Sequence, residues 1–503
     1  MDTLRVSEVL IALSRACDLA SSRPYGFAQR VARVADRMAD QAGLPDDLRG
    51  DLLAAALLHS AGFAAVAGDV ARIVIGDERL QLRLYPLDAI FDRLAAGPSL
   101  GADESSRTGV FLRHHIPIAG FPRATGLWLE RAGLERAGRI VSPMLELAER
   151  RERPSPEAMA SGLLSLAYHL VAVRWLAASG DAADKEMAER ARDLVGDSRW
   201  LAALSGVVFE PPLLPMAEEL WADTLFWQEM DAARTGAWLR IVRNPEPAQG
   251  DPDPESPSPE GPRGLASEEA VQGVDADSLM GSYTFSANEL TDDVPDIDAA
   301  ICALLGPRHG DRLPLDSPLF DAWLQIIGQM LDAKAVFAQG HSLRVANLVQ
   351  EVALLLELND AQVAKMRLAA WLYGVGRLAL PSALVEQGRG LRAEQRSMIV
   401  ETPRLTRSTL QPLRALEHTL RDASTYAERL DGSGYPRGLQ SPDIPLLGRL
   451  ICVVDTFEAL QSDRPYRPAF SRARALHILQ AQSAGLFDGV ITDLVEGITR
   501  GEL

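Results

Sequence analysis

The stretch Glu428-Arg429-Leu430-Asp431-Gly432-Ser433-Gly434-Tyr435-Pro436-Arg437-Gly438-Leu439 organises the chain. Asp431-Gly432 and Ser433-Gly434 each place a glycine where a loop needs an unusual backbone angle, and Pro436 fixes the exit direction. Alone, such a run reads as a tight surface turn. Its neighbours say more. Upstream stands His341-Ser342-Leu343-Arg344-Val345-Ala346. Downstream stand Val454-Asp455-Thr456-Phe457-Glu458-Ala459-Leu460 and Ser462-Asp463-Arg464-Pro465-Tyr466-Arg467.

Working outward, Val345, Leu348, Val349 and Val352 fall at i, i+3, i+4 and i+7, one face of a helix. Val31, Val34, Ala35 and Met38 repeat that face. A shift of 314 aligns 26–62 with 340–376 without a gap, and 11 of the 37 positions are identical. They include Gly26/Gly340, Arg30/Arg344, Ala55/Ala369, Leu58/Leu372 and Gly62/Gly376. Shared alanine content does not easily put these in one register, so the chain holds two diverged copies of one helical unit. Periodicity predicts further helices over 47–59, 140–150, 156–178, 183–194 and 214–240, with few period-two runs, hence an all-α fold.

Residues 244–262 hold seven prolines among Asp, Glu, Ser and Gly. A segment so poor in apolar residues cannot bury a core, so 243–296 is expected to be a flexible acidic linker. The expected domains are 1–242 and 297–503. A chain of 503 residues exceeds one core. Its formal net charge of -18 disfavours nucleic acid and anionic lipid as partners. Three widely spaced cysteines, Cys17, Cys302 and Cys452, suggest reduced cytoplasmic thiols. The first residues do not read as a signal peptide, and no run approaches ~18 uninterrupted apolar residues, so no membrane span is expected.

The order and spacing of these motifs resembles the HD-GYP family, helical phosphodiesterases that hydrolyse cyclic di-GMP at a two- or three-metal site. The resemblance covers the C-terminal third and implies a degenerate HD-GYP domain after a diverged HD-like N-terminal domain. The family pattern draws its metal cage from a His before an Arg-Val-Ala helix, a His-Asp pair, a His before proline, a His-His pair and a late Asp. Here His341 and Asp455 survive. The His-Asp pair is Tyr373-Gly374, the usual lysine after it is Arg377, Thr402 precedes Pro403, and the His-His pair is Tyr426-Ala427. Two of seven ligands cannot hold a dinuclear cluster. The first copy has Phe27 at the first position and His59-Ser60 at the pair, with His114-His115 a further donor candidate.

The resemblance therefore implies a signalling or regulatory protein that binds rather than hydrolyses, with no cofactor. Its ligand would be cyclic di-GMP or another small nucleotide, or its partner a protein of that pathway. The ligand-facing candidates are Arg344, Arg377, Asp431, Gly432, Gly434, Tyr435, Pro436 and Arg464; His341 and Asp455 are vestigial metal positions. The alternatives are an active phosphohydrolase with a non-standard Fe or Mn site, and a purely structural helical subunit. His341 and Asp455 should face each other, with His341 or Arg344 donating to the carboxylate, and Tyr373 and Tyr426 should fill the space between. Arg464 has a bland reading too, as a partner of Asp463 or Asp455.

Overall fold

The computed structural model describes residues 3–67, 120–145, 155–179, 185–205, 209–232, 241–243, 283–285, 301–305, 312–315, 317–335, 339–387, 391–464, 467–483 and 485–502. The fold is all-α. In the first unit the helices are α1 (Val6–Ala20), α2 (Phe27–Gln41), α3 (Asp46–Leu58), α4 (Phe121–Arg131), α5 (Glu135–Val141), α6 (Pro156–Ala178), α7 (Lys185–Val195), α8 (Arg199–Leu204), α9 (Leu214–Ala222) and α10 (Thr224–Ala232). In the second they are α11 (Pro318–Lys334), α12 (His341–Leu355), α13 (Asp360–Leu372), α14 (Ser382–Gln387), α15 (Ala393–Val400), α16 (Thr402–Leu410), α17 (Glu417–Ala423), α18 (Leu446–Leu460), α19 (Arg472–Ser483) and α20 (Gly489–Arg500). Four short strands are present among the described residues. Strand β1 (Thr3–Arg5) pairs antiparallel with β4 (Arg312–Pro314), Leu4 opposite Leu313. Strand β2 (Ile241–Arg243) pairs with β3 (Tyr283–Phe285).

The offset of 314 holds for one helix pair of each unit, α2–α3 and α12–α13. Helices α2 and α12 have equal length, and each starts after a left-handed glycine, Gly26 (φ 89°) and Gly340 (φ 73°). Helices α3 and α13 match residue for residue in their bounds. The residue after α2 that bends the chain back is Gly43 at φ +65°, and its counterpart is Glu357 at φ +55°. The likeness runs beyond the aligned stretch. Asp18 near the end of α1 accepts the amides of Gly26, Phe27 and Ala28, and Asp332, also 314 residues on, accepts the amide and hydroxyl of Ser342. Each acid thus satisfies donors at the start of the next helix, which have no partner inside it.

A third correspondence relates α4 to α16. Thr125 Oγ1 donates to His59 O (3.0 Å) and accepts from Gly62 N (2.8 Å). Thr406 Oγ1 donates to Tyr373 O (3.1 Å) and accepts from Gly376 N (2.9 Å). Glycine is required at both places, because a Cβ would lie 2.1 Å from Phe121 O at Gly62 and 2.0 Å from Thr402 O at Gly376.

The expected helix over 214–240 is broken at Asp223, whose carboxylate accepts Phe226 N and starts α10 afresh. The stretch 140–150 holds the end of α5 and a turn to 145, and the rest of it lies outside the described residues, as do His114-His115 and most of 243–296. Both units contribute to one buried cluster, with Leu10, Leu13 and Tyr168 on one side and Trp323, Leu378 and Leu405 on the other. Asp46–Ala67 and Pro156–Ala178 are long and apolar enough to cross a membrane, but 89% of the most apolar window of each is buried inside the protein.

Candidate functional site

Gly340 turns the chain so that His341 opens α12, and Asp332 pins that start. Helix α18 packs along α12. The two helices are tied twice, at one spacing. His341 Nε2 lies 3.0 Å from Asp455 Oδ1, and one turn on Arg344 Nε donates to Glu458 Oε2 at 2.7 Å. Arg344 is therefore not the donor to Asp455, contrary to one of the two sequence expectations. It sits three residues past His341 and meets the acid three residues past Asp455.

Tyr373 ends α13, and its hydroxyl donates to Asp455 Oδ1 at 2.5 Å, 3.3 Å from His341 Nε2. Arg377, on the 3-10 turn Val375–Ala379, donates to Asp455 Oδ2 at 3.2 Å. Its guanidinium lies 5.2 Å from the ring centres of Tyr373 and of Tyr426, and the two rings meet edge to face at 4.8 Å. Burial alone would raise the Asp455 pKa. The charge of Arg377, then the hydrogen bonds of His341 and Tyr373, outweigh it and hold the carboxyl well below its usual range. Burial, followed by the Asp455 charge, pushes the Tyr373 phenol well above its ordinary value.

This donor set does not fit a dinuclear metal centre. Both oxygens of Asp455 already accept hydrogen bonds, and the cation beside them is the chain's own guanidinium. A phenol held protonated is a poor ligand, because a metal needs the phenolate. Thr402, at the His-before-proline position, is buried and donates to Ile399 O. Among the described residues, no three His, Cys, Asp or Glu side chains gather as a metal would require.

Two cavities adjoin these residues. One of about 60 Å³ is lined by Lys334, His341, Tyr373, Arg377 and Arg464. It brings three basic side chains together, and Lys334 is the one that sequence reasoning missed, since a lone lysine at a helix end carries no motif. Arg464 is fixed there by a backbone pair with Arg467. The other, an open groove of about 600 Å³, is lined by Arg344, Phe457, Glu458 and Arg472.

The loop 431–437 lines neither cavity. Asp431 turns its carboxylate onto Ser433, taking its amide (2.9 Å) and hydroxyl (2.7 Å). Gly432 is left-handed (φ 84°), and a Cβ on Gly434 would stand 2.4 Å from Arg429 N. Tyr435 packs against the core edge, its phenol raised by burial and then by the neighbouring Tyr426, while Pro436 faces solvent. The anchor of the loop is Glu428, which the sequence reading quoted without assigning a role. Its buried carboxylate accepts Arg437 N and Leu439 N, both at 2.9 Å.

The first unit has a matching centre. Phe27 stands at the His341 position and His59 at the Tyr373 position. Tyr168 meets His59 edge to face at 5.1 Å, as Tyr426 meets Tyr373. The Arg23 guanidinium is caged by Phe27 (4.3 Å), Tyr168 (4.7 Å) and Phe63 (5.2 Å), and donates to Tyr168 Oη. Burial holds His59 neutral, with its pKa down at about 3. In both units an arginine and aromatic rings fill the centre.

Residues 325–491 match the HD domain family. A 3'3'-cGAMP-specific phosphodiesterase of Vibrio cholerae is 34% identical over 175 residues, 35% of this chain and 38% of that protein. A cyclic di-GMP phosphodiesterase response regulator, RpfG, of Xanthomonas campestris is 34% identical over 147 residues, 29% of this chain and 39% of that protein. The matches thus span well under half the length of these relatives. The crystal structure of a V. cholerae cyclic GMP-AMP-specific phosphodiesterase shares the fold, with a TM-score of 0.54 at 19% identity over 99% of this chain and 98% of that one. The similarity to the HD domain family thus covers residues 325–491 of this chain.

Proposed function

We propose that the chain is a catalytically degenerate HD-GYP-type protein, which acts by binding in cyclic-dinucleotide signalling. The observation that carries this is the Arg377–Asp455 pair. A phosphodiesterase of this kind needs its carboxylate free for a metal, which activates water and neutralises the phosphorane-like charge. Here an arginine takes the carboxylate, and two tyrosines take the space between helices.

The rim of Lys334, Arg377 and Arg464 supports an anionic ligand. Arginine forks onto phosphate oxygens in a way that no neutral side chain does. The relatives are named for 3'3'-cGAMP and cyclic di-GMP, so a cyclic dinucleotide presenting one phosphate to this rim is the ligand of choice. A protein of the same pathway is the other class of partner. In this reading the first unit is a diverged HD-like domain, 243–296 is a linker between 1–242 and 297–503, and the protein is cytoplasmic with no nucleic-acid partner. An active phosphohydrolase is the competing reading, and the relatives' names favour it.

Metal analysis of purified protein, with chromatography of cyclic di-GMP and 3'3'-cGAMP after incubation, separates the two. The expected result is no stoichiometric iron or manganese and no product, with saturable nucleotide binding that Arg464→Ala weakens. A metal pair per chain with hydrolysis that His341→Ala abolishes would overturn the proposal.

A further inference from the structure

We infer that the first unit is a fused partner subunit, paired with the second about a pseudo-two-fold axis, and that this pairing positions the turn carrying Arg377. The inference stands whether or not the site hydrolyses anything.

The contacts between units come in mates. Helix α1 packs on α16, and α11 packs on α4. By the matching contacts of Asp18 and Asp332, and of Thr125 and Thr406, α1 corresponds to α11 and α4 to α16, so each contact is the other one with the units exchanged. Helices α1 and α11 also touch each other, as they must across an axis. Strand β1 precedes α1 and β4 precedes α11, and the two pair antiparallel. Antiparallel pairing of equivalent strands is what a two-fold axis produces, and a self-complementary patch used by both partners is an isologous interface. The tandem copies are therefore docked as a homodimer would be, within one chain. The partner that the α11–α16–β4 face accepts is a second unit of this fold.

The polar ties are buried and directional. Arg15 of α1 donates to Ser408 O (3.0 Å) and Gln411 Oε1 (3.2 Å). Tyr25 Oη lies 2.7 Å from Thr409 Oγ1. Since Thr409 donates its proton to Leu405 O, Tyr25 is the donor. On the mate side Trp323 Nε1 donates to Ala132 O at 3.2 Å. Helix α16 then passes the constraint on. Thr406, one turn before Thr409, holds Tyr373 O and Gly376 N, the residues flanking the start of the turn that carries Arg377. Helix α1 also packs directly on that turn. Tyr25 is thus a positioning residue: it acts on Asp455 through α16, Tyr373 and Arg377, and touches none of the site itself.

Hydrogen–deuterium exchange of the full chain tests this, with Tyr25→Phe, Thr409→Val and Trp323→Phe as separate variants. Tyr25→Phe and Thr409→Val should each speed exchange across 373–379 roughly fivefold, the scale of one lost hydrogen bond, leaving α20 and α3 as in the parent. Trp323→Phe should instead speed exchange in α4 and leave 373–379 unchanged. Two results overturn the inference: acceleration confined to α16, or acceleration spread evenly over the chain, which marks simple destabilisation. Tyr25→Phe keeps the ring and its packing, so a folded variant is available whatever the outcome at Thr409.

Discussion

At Asp455 three donors converge on one carboxylate from three elements: His341 from α12, Tyr373 from the end of α13 and Arg377 from the turn beyond. Removing the acceptor takes a hydrogen-bond partner from all three. Asp455→Ala should cost about 1–3 kcal/mol in urea unfolding, as expected for polar groups left unsatisfied. An unchanged midpoint together with loss of a measured activity would contradict a structural role for this residue. The buried imidazoles of the first unit set a pH dependence. His59 and His169 are neutral in the folded state, pushed by burial to about 3 and about 4 from an ordinary 6.5. Below pH 6.5 the unfolded chain takes up protons there and the folded chain does not. The stability they provide is full above 6.5 and is lost as pH falls toward 4, by up to about 1.4 kcal/mol per pH unit for each. Denaturation at several pH values should show this slope, and His59→Gln with His169→Gln should flatten it; an unaltered slope would rule these residues out.

At the scale of elements, the repeated core of each unit is a helix pair closed by a turn, and the turn is locked by one threonine on a following helix. The glycine beside that threonine has no room for a side chain. Gly62→Ala and Gly376→Ala should each cost about 1–3 kcal/mol, because the Cβ would overlap a backbone oxygen that cannot move alone. Gly374 has an ordinary φ of −91°, and its nearest Cβ contact is Leu331 Cδ1 at 3.5 Å. Gly374→Ala should therefore fall within about 0.5 kcal/mol of the parent. Thermal melts of the three variants check the contrast, and a Gly376→Ala protein as stable as Gly374→Ala would refute it. The signature loop behaves as an element of the same kind. Its shape is held from inside by Glu428, and it does not line the cavity with the cationic rim.

For the whole molecule, the two units share one buried core. Trp200, Trp221 and Trp227 report on the first unit, and Trp323 and Trp371 on the second; all five lie in the same buried cluster. A chain whose units melted independently would show two transitions. Here fluorescence of single-tryptophan variants from either unit should give one coincident midpoint, and separated midpoints would show that the interface adds little.

The sequence by itself determined the helical class and the repeat, and it singled out His341 and Asp455 as a pair that should meet. Each rests on local pattern: apolar spacing, glycines that end or begin helices, and motif order. Its resemblance to the HD-GYP pattern also set the expectation of which ligands are replaced, since identity at a position needs no coordinates. Tertiary structure alone decided what took their place. That Arg377 neutralises Asp455, that Arg344 turns to Glu458, and that Arg23 fills the first centre all depend on which helices pack side by side. The equivalence of Asp18 with Asp332 lies outside the aligned stretch, where the surrounding residues share no pattern; the amides they accept show the common role. The pairing of the two units was equally invisible, because an isologous face is made of residues far apart in the chain, and packing selects them by shape rather than by spacing.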